Sequence, residues 1–334
     1  MSDQALKATL EEAASKAFAC SGRVDALRRL PGGSSRETWS FDFVGADGRR
    51  HSLILRRDPG GHTHDSLTAK IGAFGIDREV ECALLRAVVA AGVPAPGVRF
   101  SMPESAGGGF VMDRLEGETS ARRIQRSDEL AAARLCFAAD CGRALAAIHR
   151  TPKHSLPKLP RLGLEEQLRL YRQLLDHLQV TQPVFEYALN WLEQHRPAAS
   201  ADTLVHGDFR LGNLMVAGQG LVAALDWELS HLGDPMEDLG WLCVRSWRFG
   251  GRMPVGGIGS RDELYEAYEA AGGGVVDPVR ARYWEIFGTL KWGEICLIQT
   301  FTHLLGYNRS VDLAAVGRRV SETEYDLLQL LELA

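Results

Sequence analysis

The 334-residue sequence has few cysteines, no long apolar run and no excess of positive charge. Its six cysteines form neither a C-x-x-C pair nor the clustered spacing of a zinc site, so we expect reduced thiols. No uncharged apolar run approaches the ~18 residues that a membrane-spanning helix needs. The formal net charge of -5 argues against nucleic acid and anionic membranes as partners. These absences favour a globular protein, which we expect to be cytoplasmic.

The first third of the sequence is patterned for a small β-rich lobe. Acids and bases are spread through the first residues, and they predict a helix over 3–20 and not a signal peptide. A second helical pattern covers 77–91. Alternating or β-branched segments, the first three of them separated by turn signals, predict an antiparallel sheet. Its strands are expected at 23–30, 37–44, 50–57, 97–101 and 108–113.

Beyond the first third, the patterns are mostly helical, with only short strands between them. The helical patterns cover 127–150, 163–195, 235–247, 261–271, 277–305 and 311–332. We therefore predict an α+β fold of two lobes, with the active site in the cleft between them. Residues 1–113 form the small antiparallel β lobe with one main helix, 114–118 form a hinge, and 119–334 form the larger, mostly helical lobe.

The most informative stretch is L-V-H-G-D-F-R-L-G-N-L-M-V, followed shortly by L-V-A-A-L-D-W-E. Asp208 lies five residues before Asn213 in a predicted loop, and Asp226 ends a predicted strand. Phosphoryl transfer needs a carboxylate that orients and deprotonates the acceptor hydroxyl, and hard oxygen ligands for magnesium. The stretch supplies both, because H-x-D-x-x-x-x-N is the spacing of a kinase catalytic loop.

The motifs H-G-D-F-R-L-G-N, L-D-W-E and G-D-P-M-E-D-L resemble the aminoglycoside phosphotransferase and choline kinase superfamily, which has a protein-kinase-like two-lobed fold. More narrowly, they are similar to the kinase-like domain found alone in bacteria or fused to some acyl-CoA dehydrogenases. The resemblance covers about 25–330, and its specific motifs lie in 204–240. It implies an ATP- and Mg²⁺-dependent phosphotransferase that acts on a hydroxyl group of a small molecule.

The resemblance also implies a role for each matching residue of the motifs. Asp208 would be the catalytic base, and Asn213 and Asp226 would hold magnesium. Arg210 stands where protein kinases carry a lysine that faces the transferred phosphoryl group, so it would stabilise that charge. Two further residues are expected to support the loop, namely His206 and, through backbone hydrogen bonds, Asp238.

The small lobe is expected to bind the nucleotide. A Gly-rich turn between the first two strands can bring backbone N–H groups close to phosphate oxygens, although a plain hairpin is the alternative. Arg56 aligns with the lysine that kinases place on the α- and β-phosphates. Glu79 on the following helix is the expected ion-pair partner of Arg56, and Glu81 is the competing candidate. The alternative for Glu79 is a solvated position at the start of the helix, where the helix dipole favours acids. The residues of the turn are Gly32, Gly33, Ser34 and Ser35.

The segment F-V-M-D-R-L-E-G looks like the hinge between the lobes. Backbone groups of Asp113 and Leu115 would hydrogen-bond to the adenine. Met112 is expected either to line the adenine pocket or to belong to the core.

Arginines and aromatics follow the G-D-P-M-E-D-L motif. Arg245, Trp247 and Arg248 are candidates for binding an acceptor that carries phosphate or carboxylate, such as a coenzyme A thioester. A solvated helix end with a core tryptophan is the alternative. The basic segment favours an anionic acceptor, a hydroxyacyl-CoA or hydroxy acid, over an aminoglycoside or macrolide antibiotic. A pseudokinase that binds nucleotide without turnover is the third hypothesis.

Overall fold

The structure is a computed structural model, and it describes residues 2–30, 37–57, 75–103 and 108–332. Within those ranges, no helix is both long enough and apolar enough to cross a lipid bilayer. The predicted phosphate-binding turn, Gly32 to Ser35, lies outside the described residues.

The small lobe is a five-stranded antiparallel sheet with the strand order β1-β2-β3-β5-β4. This arrangement confirms the predicted strands to within two residues at each end. The strands are β1 (Gly22–Arg29), β2 (Glu37–Gly45), β3 (Arg50–Arg57), β4 (Val98–Ser101) and β5 (Phe110–Asp113).

Two helices cover the two faces of this sheet. Helix α1 (Asp3–Ala17) is capped by the Ser2 side chain. It buries Leu6, Leu10 and Ala14, which are spaced four residues apart and therefore lie on one face of the helix. It shares a core with every second residue of the strands, including Phe41 and Phe43. Helix α2 (Arg78–Ala90) is capped by Asp77 and packs its apolar face with residues of the opposite sheet face, in a second core.

The second lobe is mostly helical. Its helices are α3 (Ala121–Arg126), α4 (Ala131–His149), α5 (Leu164–Leu178), α6 (Pro183–Gln194), α7 (Met236–Cys243), α8 (Arg261–Ala270), α9 (Pro278–Leu304), α10 (Val311–Val316) and α11 (Arg319–Leu330). Two antiparallel strand pairs lie among them, β6 (Thr203–Val205) with β9 (His231–Gly233) and β7 (Leu214–Ala217) with β8 (Gly220–Ala224).

Two helices, α5 and α6, occupy the segment 163–195, for which the sequence predicts helical structure without the break. Gln179 takes a left-handed conformation with φ of 52° and ends the first helix. Pro183 occupies the first turn of the second helix, where its missing N–H is not needed. The pattern over 311–332 is likewise divided into α10 and α11.

The chain passes from the sheet to the helical lobe through residues 114–118. The Arg114 N–H still donates to the Ser52 carbonyl of β3, at 2.9 Å. Glu118 already pairs with Val216 of β7 through two backbone hydrogen bonds of 2.8 and 2.9 Å. A second connection joins the Ala224 N–H to the Pro94 carbonyl, at 2.8 Å. The loops that follow β6 and β8 therefore lie where the two lobes meet.

Candidate active site

The loop between β6 and β7 is held by a buried carboxylate from helix α7. Asp238 accepts hydrogen bonds from the backbone N–H groups of His206 (2.8 Å) and Gly207 (3.0 Å). Its third contact is with His149 Nε2 on α4, at 3.1 Å. Burial alone would raise the pKa of Asp238, but these hydrogen bonds and the nearby histidines lower it. The backbone contacts are those expected of a loop-supporting aspartate.

His206 is fully buried in the same loop. Its Nδ1 accepts a hydrogen bond from the Asp208 N–H at 3.2 Å, and its ring lies 4.5 Å from that of Trp227. Burial lowers the pKa of His206 even though three aspartates surround it, so the imidazole is neutral near pH 7. A neutral ring with Nδ1 as acceptor fixes the backbone of Asp208, which is the bracing geometry expected for this position.

Three side chains donate hydrogen bonds to the Asp208 carboxylate. Oδ1 accepts from Arg210 Nε and from Trp241 Nε1, both at 2.9 Å, and Oδ2 accepts from Asn213 Nδ2 at 2.6 Å. The guanidinium of Arg210 also lies over the ring of Trp247, 4.6 Å from its centroid. Arg210 is thus held between the aspartate and an aromatic face, adjacent to any group bound at Asp208.

Asn213 and Asp226 lie next to each other across two loops. The Asn213 amide nitrogen donates to the Asp208 side chain and to its backbone carbonyl at 3.0 Å, which leaves the amide oxygen for another partner. The Leu225 N–H donates to the Asn213 carbonyl at 2.8 Å and so brings the following residue, Asp226, alongside. Magnesium at phosphoryl-transfer sites binds one or two protein oxygens together with phosphates. An amide oxygen and a carboxylate fit that requirement.

Arg56 on β3 connects the small lobe to this site. Its Nη2 lies 2.9 Å from Asp226 Oδ1, and its Nη1 lies 3.0 Å from Glu81 Oε1. The choice of Glu79 as its partner is therefore wrong. Helix α2 begins after Asp77, so Glu79 falls on the exposed first turn, whereas Glu81 lies on the buried face that meets the sheet. A shift of two residues turns a helical side chain through roughly 200°.

Of the two hinge residues expected to bind adenine, only one keeps a free backbone N–H among the described residues. The Asp113 N–H is already used by the Gly97 carbonyl, at 2.9 Å, and the Asp113 side chain accepts from Arg99. In the part of the chain that the structure describes, the Leu115 N–H donates to no other residue. Met112 is 9% exposed and belongs to the core under α2, which supports the core interpretation.

The acceptor candidates differ in what they contact. Arg248 is committed to structure, because it donates to the Cys243 carbonyl and pairs with Glu285 at 3.0 Å. Arg248 also lines the cavity described below, so its role in acceptor binding stays a prediction. Trp247 is 4% exposed, packs against other tryptophans and lies under the guanidinium of Arg210, which agrees with the alternative of a core tryptophan. Arg245 is 60% exposed and pairs loosely with Asp326 at 3.3 Å.

A cavity of about 650 Å³ opens between the segment that starts at Arg245 and helix α11. Four arginines line it, against the two acids Glu322 and Asp326. The arginines are Arg245, Arg248, Arg252 and Arg319.

Sequence reasoning missed two residues that contact the loop. Trp241 follows Asp238 by three positions and so lies on the same face of α7. Lys291 of α9 is 5% exposed, and its Nζ donates to the Gly207 carbonyl at 3.0 Å and to Glu237 Oε1 at 3.2 Å. A lysine within the apolar pattern G-T-L-K-W-G-E-I-C-L-I was the available signal, because a charge on a buried face requires a partner.

Comparisons with solved structures show the fold. A Ralstonia eutropha protein assigned to the aminoglycoside phosphotransferases has a TM-score of 0.73 at 21% identity, over 99% of this chain and 98% of that one. A choline/ethanolamine kinase family protein from Mesorhizobium loti has a TM-score of 0.63 at 22% identity, over 92% of this chain and 90% of that one. The protein therefore has the protein-kinase-like two-lobed fold.

Comparisons by sequence show the family. Acyl-CoA dehydrogenase family member 11 from Mus musculus is 28% identical over 307 residues, which are 84% of this chain and 37% of that protein. Acyl-CoA dehydrogenase family member 10 from the same organism is 30% identical over 206 residues, 58% of this chain and 18% of that protein. The chain thus spans less than two fifths of these curated relatives. The model of the phosphotransferase enzyme family, APH, matches residues 26–284, well over half of the chain, and the chain therefore belongs to this family of phosphotransferases.

Proposed function

We propose that this phosphotransferase uses ATP and Mg²⁺ and transfers the γ-phosphoryl group to a hydroxyl of a small anionic acceptor, a hydroxyacyl-CoA or a related hydroxy acid. The observation that carries the proposal is the carboxylate of Asp208, which accepts hydrogen bonds from three side chains, one of them that of Asn213. Asp226 follows Leu225, whose N–H donates to the Asn213 carbonyl. Two neighbours in fold support nucleotide use, since one is a GDP complex of an aminoglycoside 2'-phosphotransferase and another is a complex of spectinomycin phosphotransferase with ADP and spectinomycin.

Each residue of the site has a part in this reaction. Asp208 orients the acceptor hydroxyl and takes up its proton as the oxygen attacks the γ-phosphorus, while the bond from that phosphorus to the bridging oxygen breaks and ADP leaves. Arg210, next to Asp208, stabilises the charge of the transferred group. Magnesium, held through Asn213 and Asp226, would neutralise phosphate charge. Arg56 donates hydrogen bonds to the nucleotide phosphates, because its position on β3 places its guanidinium beside Asp226.

The charge of the cavity lined by Arg245 supports an anionic acceptor. Arg245 and Arg319 have acids nearby within the cavity, at 3.3 and 3.9 Å. Arg252 is exposed and forms no ion pair within the described ranges. An exposed arginine is a ready donor to phosphate or carboxylate oxygens. The names of the curated relatives, acyl-CoA dehydrogenase family members, agree with a coenzyme A thioester as the acceptor.

An antibiotic kinase is the second candidate, because neighbours in fold include phosphotransferases named for aminoglycosides and a macrolide. A polycationic acceptor needs acidic side chains that face it. The sequence offers two sets of acids, those of the helical pattern 261–271 and those of the E-D-L-G stretch at 237–240. Acids of the first set, such as Asp262 and Glu266 of α8, are exposed. The acids of the second set do not meet this need, since Glu237 and Asp238 are both at most 2% exposed and hold internal contacts. This geometry favours the anionic acceptor.

The test is ATP consumption with Mg²⁺ across hydroxyacyl-CoA thioesters, free hydroxy acids, choline-like alcohols and aminoglycosides. We expect turnover with the anionic class, and a loss of roughly 10²- to 10⁴-fold in Asp208→Asn. Arg252→Gln should raise the KM of the anionic acceptor severalfold and leave the KM of ATP unchanged. Arg122→Gln, at an exposed position of α3, is the matched control. Turnover only with aminoglycosides would overturn the acceptor class, and tight ATP binding without any turnover would favour a pseudokinase.

A further inference from the structure

Helix α7 reaches the catalytic loop with two side chains from one face. Asp238 holds the loop backbone, and Trp241, three residues later, donates from Nε1 to Asp208 Oδ1 at 2.9 Å. Trp241 is 2% exposed, so its ring is fixed by packing on all sides. A rigid aromatic that donates a hydrogen bond to a carboxylate fixes the rotation of that carboxylate.

The hydrogen bond of Trp241 is specific within its aromatic cluster. The ring of Trp247 lies 5.0 Å from that of Trp241, and the ring of Trp292 lies 4.6 Å from that of Trp247. The Nε1 atoms of Trp247 and Trp292 are buried, and neither has a hydrogen-bond partner in the described part of the chain. Of the three indole N–H groups, the one on Trp241 is directed at the loop.

Lys291 supports the same arrangement from helix α9. Its buried ammonium donates to the Gly207 carbonyl, pairs with Glu237 of α7, and lies 4.8 Å from the centroid of the Trp241 ring. A buried ammonium is costly unless several partners compensate it. Here the partners are the Gly207 carbonyl of the loop, the Glu237 carboxylate of α7 and the face of the Trp241 indole. The ammonium of Lys291 therefore contacts both α7 and the loop.

We propose that Trp241, with Lys291 behind it, is a positioning residue that sets the orientation of the Asp208 carboxylate for the acceptor hydroxyl. Arg210, the other donor to Oδ1, is expected to serve the phosphoryl group during transfer. Trp241 then keeps Oδ1 in place, while Asn213 holds Oδ2. The catalytic consequence rests on the proposed function, but the hydrogen bond itself does not.

The test in solution compares two buried tryptophans. Trp241→Phe keeps most of the ring and deletes the N–H. Trp284→Phe is the matched control, because Trp284 is 1% exposed and donates to Asp234 Oδ2 at the same distance of 2.9 Å, away from Asp208. With the preferred acceptor, kcat of Trp241→Phe should fall by roughly 10- to 100-fold, as expected for a misplaced catalytic group. The KM of ATP should stay within about twofold.

The control separates positioning from a general loss of stability. Both variants should unfold more readily, but only Trp241→Phe should lose kcat. An unchanged kcat in Trp241→Phe, or an equal loss in both variants, would overturn the proposal. If Trp241→Phe does not fold, replacement of Trp241 by 3-benzothienylalanine removes only the N–H, and the same comparison of kcat decides.

A second measurement needs no turnover. Indole ¹H–¹⁵N spectra of the ¹⁵N-tryptophan-labelled protein should show a large shift of the Trp241 signal in Asp208→Asn, with the Trp284 signal unmoved. No shift at Trp241 would overturn the proposal even if the enzyme is active. A wild-type protein without any Asp208-dependent turnover would contradict the proposed function, and the spectra would still decide whether the contact exists.

Discussion

Arg56 lies between two carboxylates, 3.0 Å from Glu81 of helix α2 and 2.9 Å from Asp226 after strand β8. An arginine offers two nitrogens on one rigid fork, so it contacts both acids at once, whereas a lysine has a single ammonium. The small lobe is thereby tied to the proposed magnesium ligand through one side chain. This arrangement gives a physical reason for an arginine at the position of the kinase lysine.

The first prediction concerns the partner of Arg56. Glu81→Gln should lower the free energy of unfolding by about 3 kcal/mol, because a buried guanidinium loses one of its counter-charges. It should also weaken ATP binding, since Arg56 is no longer held in place. Glu79→Gln, two residues earlier on the exposed turn, should change the free energy of unfolding by less than about 0.5 kcal/mol. Urea unfolding and ATP titrations of both variants provide the measurement, and equal effects would contradict the assignment.

The second prediction concerns magnesium. Asp226→Ala removes the carboxylate that we assign to the metal, so ATP should bind equally with and without Mg²⁺ in this variant. The wild-type protein should bind ATP more tightly with Mg²⁺. Asp262→Ala, an exposed acid of α8, is the control for loss of one negative charge. A magnesium dependence that survives in Asp226→Ala would show that the metal ligands lie elsewhere.

Much of the fold was predictable because its signals are local in sequence. The strands of the sheet follow from alternation and turn residues, and the helices follow from spacing and caps such as Asp77. The central part of the site was predictable for the same reason. Asp208 and Asn213 occupy one loop, and their spacing matches that of a kinase catalytic loop.

The remaining contacts depend on how distant elements pack, which sequence patterns do not specify. Trp241 and Asp208 are 33 positions apart, and Arg56 and Asp226 are 170 positions apart. Glu79 and Glu81 are equally close to Arg56 in sequence, and only the rotation of α2 against the sheet distinguishes them. The ion pair of Arg248 was not predictable either, because Glu285, its partner, lies on a helix whose position was unknown.

The third prediction concerns the conformation of Gly207. Its φ is +80°, and an added Cβ would lie 2.4 Å from the Leu229 carbonyl oxygen. Gly207→Ala should therefore distort the catalytic loop and lower both stability and turnover. Gly48 has the same φ of +80° but no atom within 4 Å of an added Cβ, so Gly48→Ala should cost only about 1–2 kcal/mol and keep kcat. Equal losses of stability in the two variants would show that the contact with Leu229 is unimportant.

The fourth prediction concerns stability at acidic pH. Burial alone would raise the pKa of Glu237, but His231 and Lys291 outweigh it and lower this pKa to about 2, well below the ordinary 4.5 of a glutamate. The pKa of Glu237 is lower in the folded than in the unfolded protein. Its ionised carboxylate therefore stabilises the folded state fully above about pH 4.5, and this stabilisation is lost as the pH falls toward 2. The difference corresponds to roughly 3 kcal/mol. Glu237→Gln should therefore lower the free energy of unfolding near neutral pH and flatten its dependence on pH between 4.5 and 2.5.

The measurement for Glu237 is urea unfolding at a series of pH values, compared with an exposed glutamate. Glu266→Gln on α8 removes the same charge from the surface, so its curve should run parallel to that of the wild-type protein. Because Lys291 also donates to the Gly207 carbonyl, protonation of Glu237 should weaken the hold of α9 on the catalytic loop as well. If the Glu237→Gln and wild-type curves have the same slope below pH 4.5, Glu237 is not the group whose protonation destabilises the folded state.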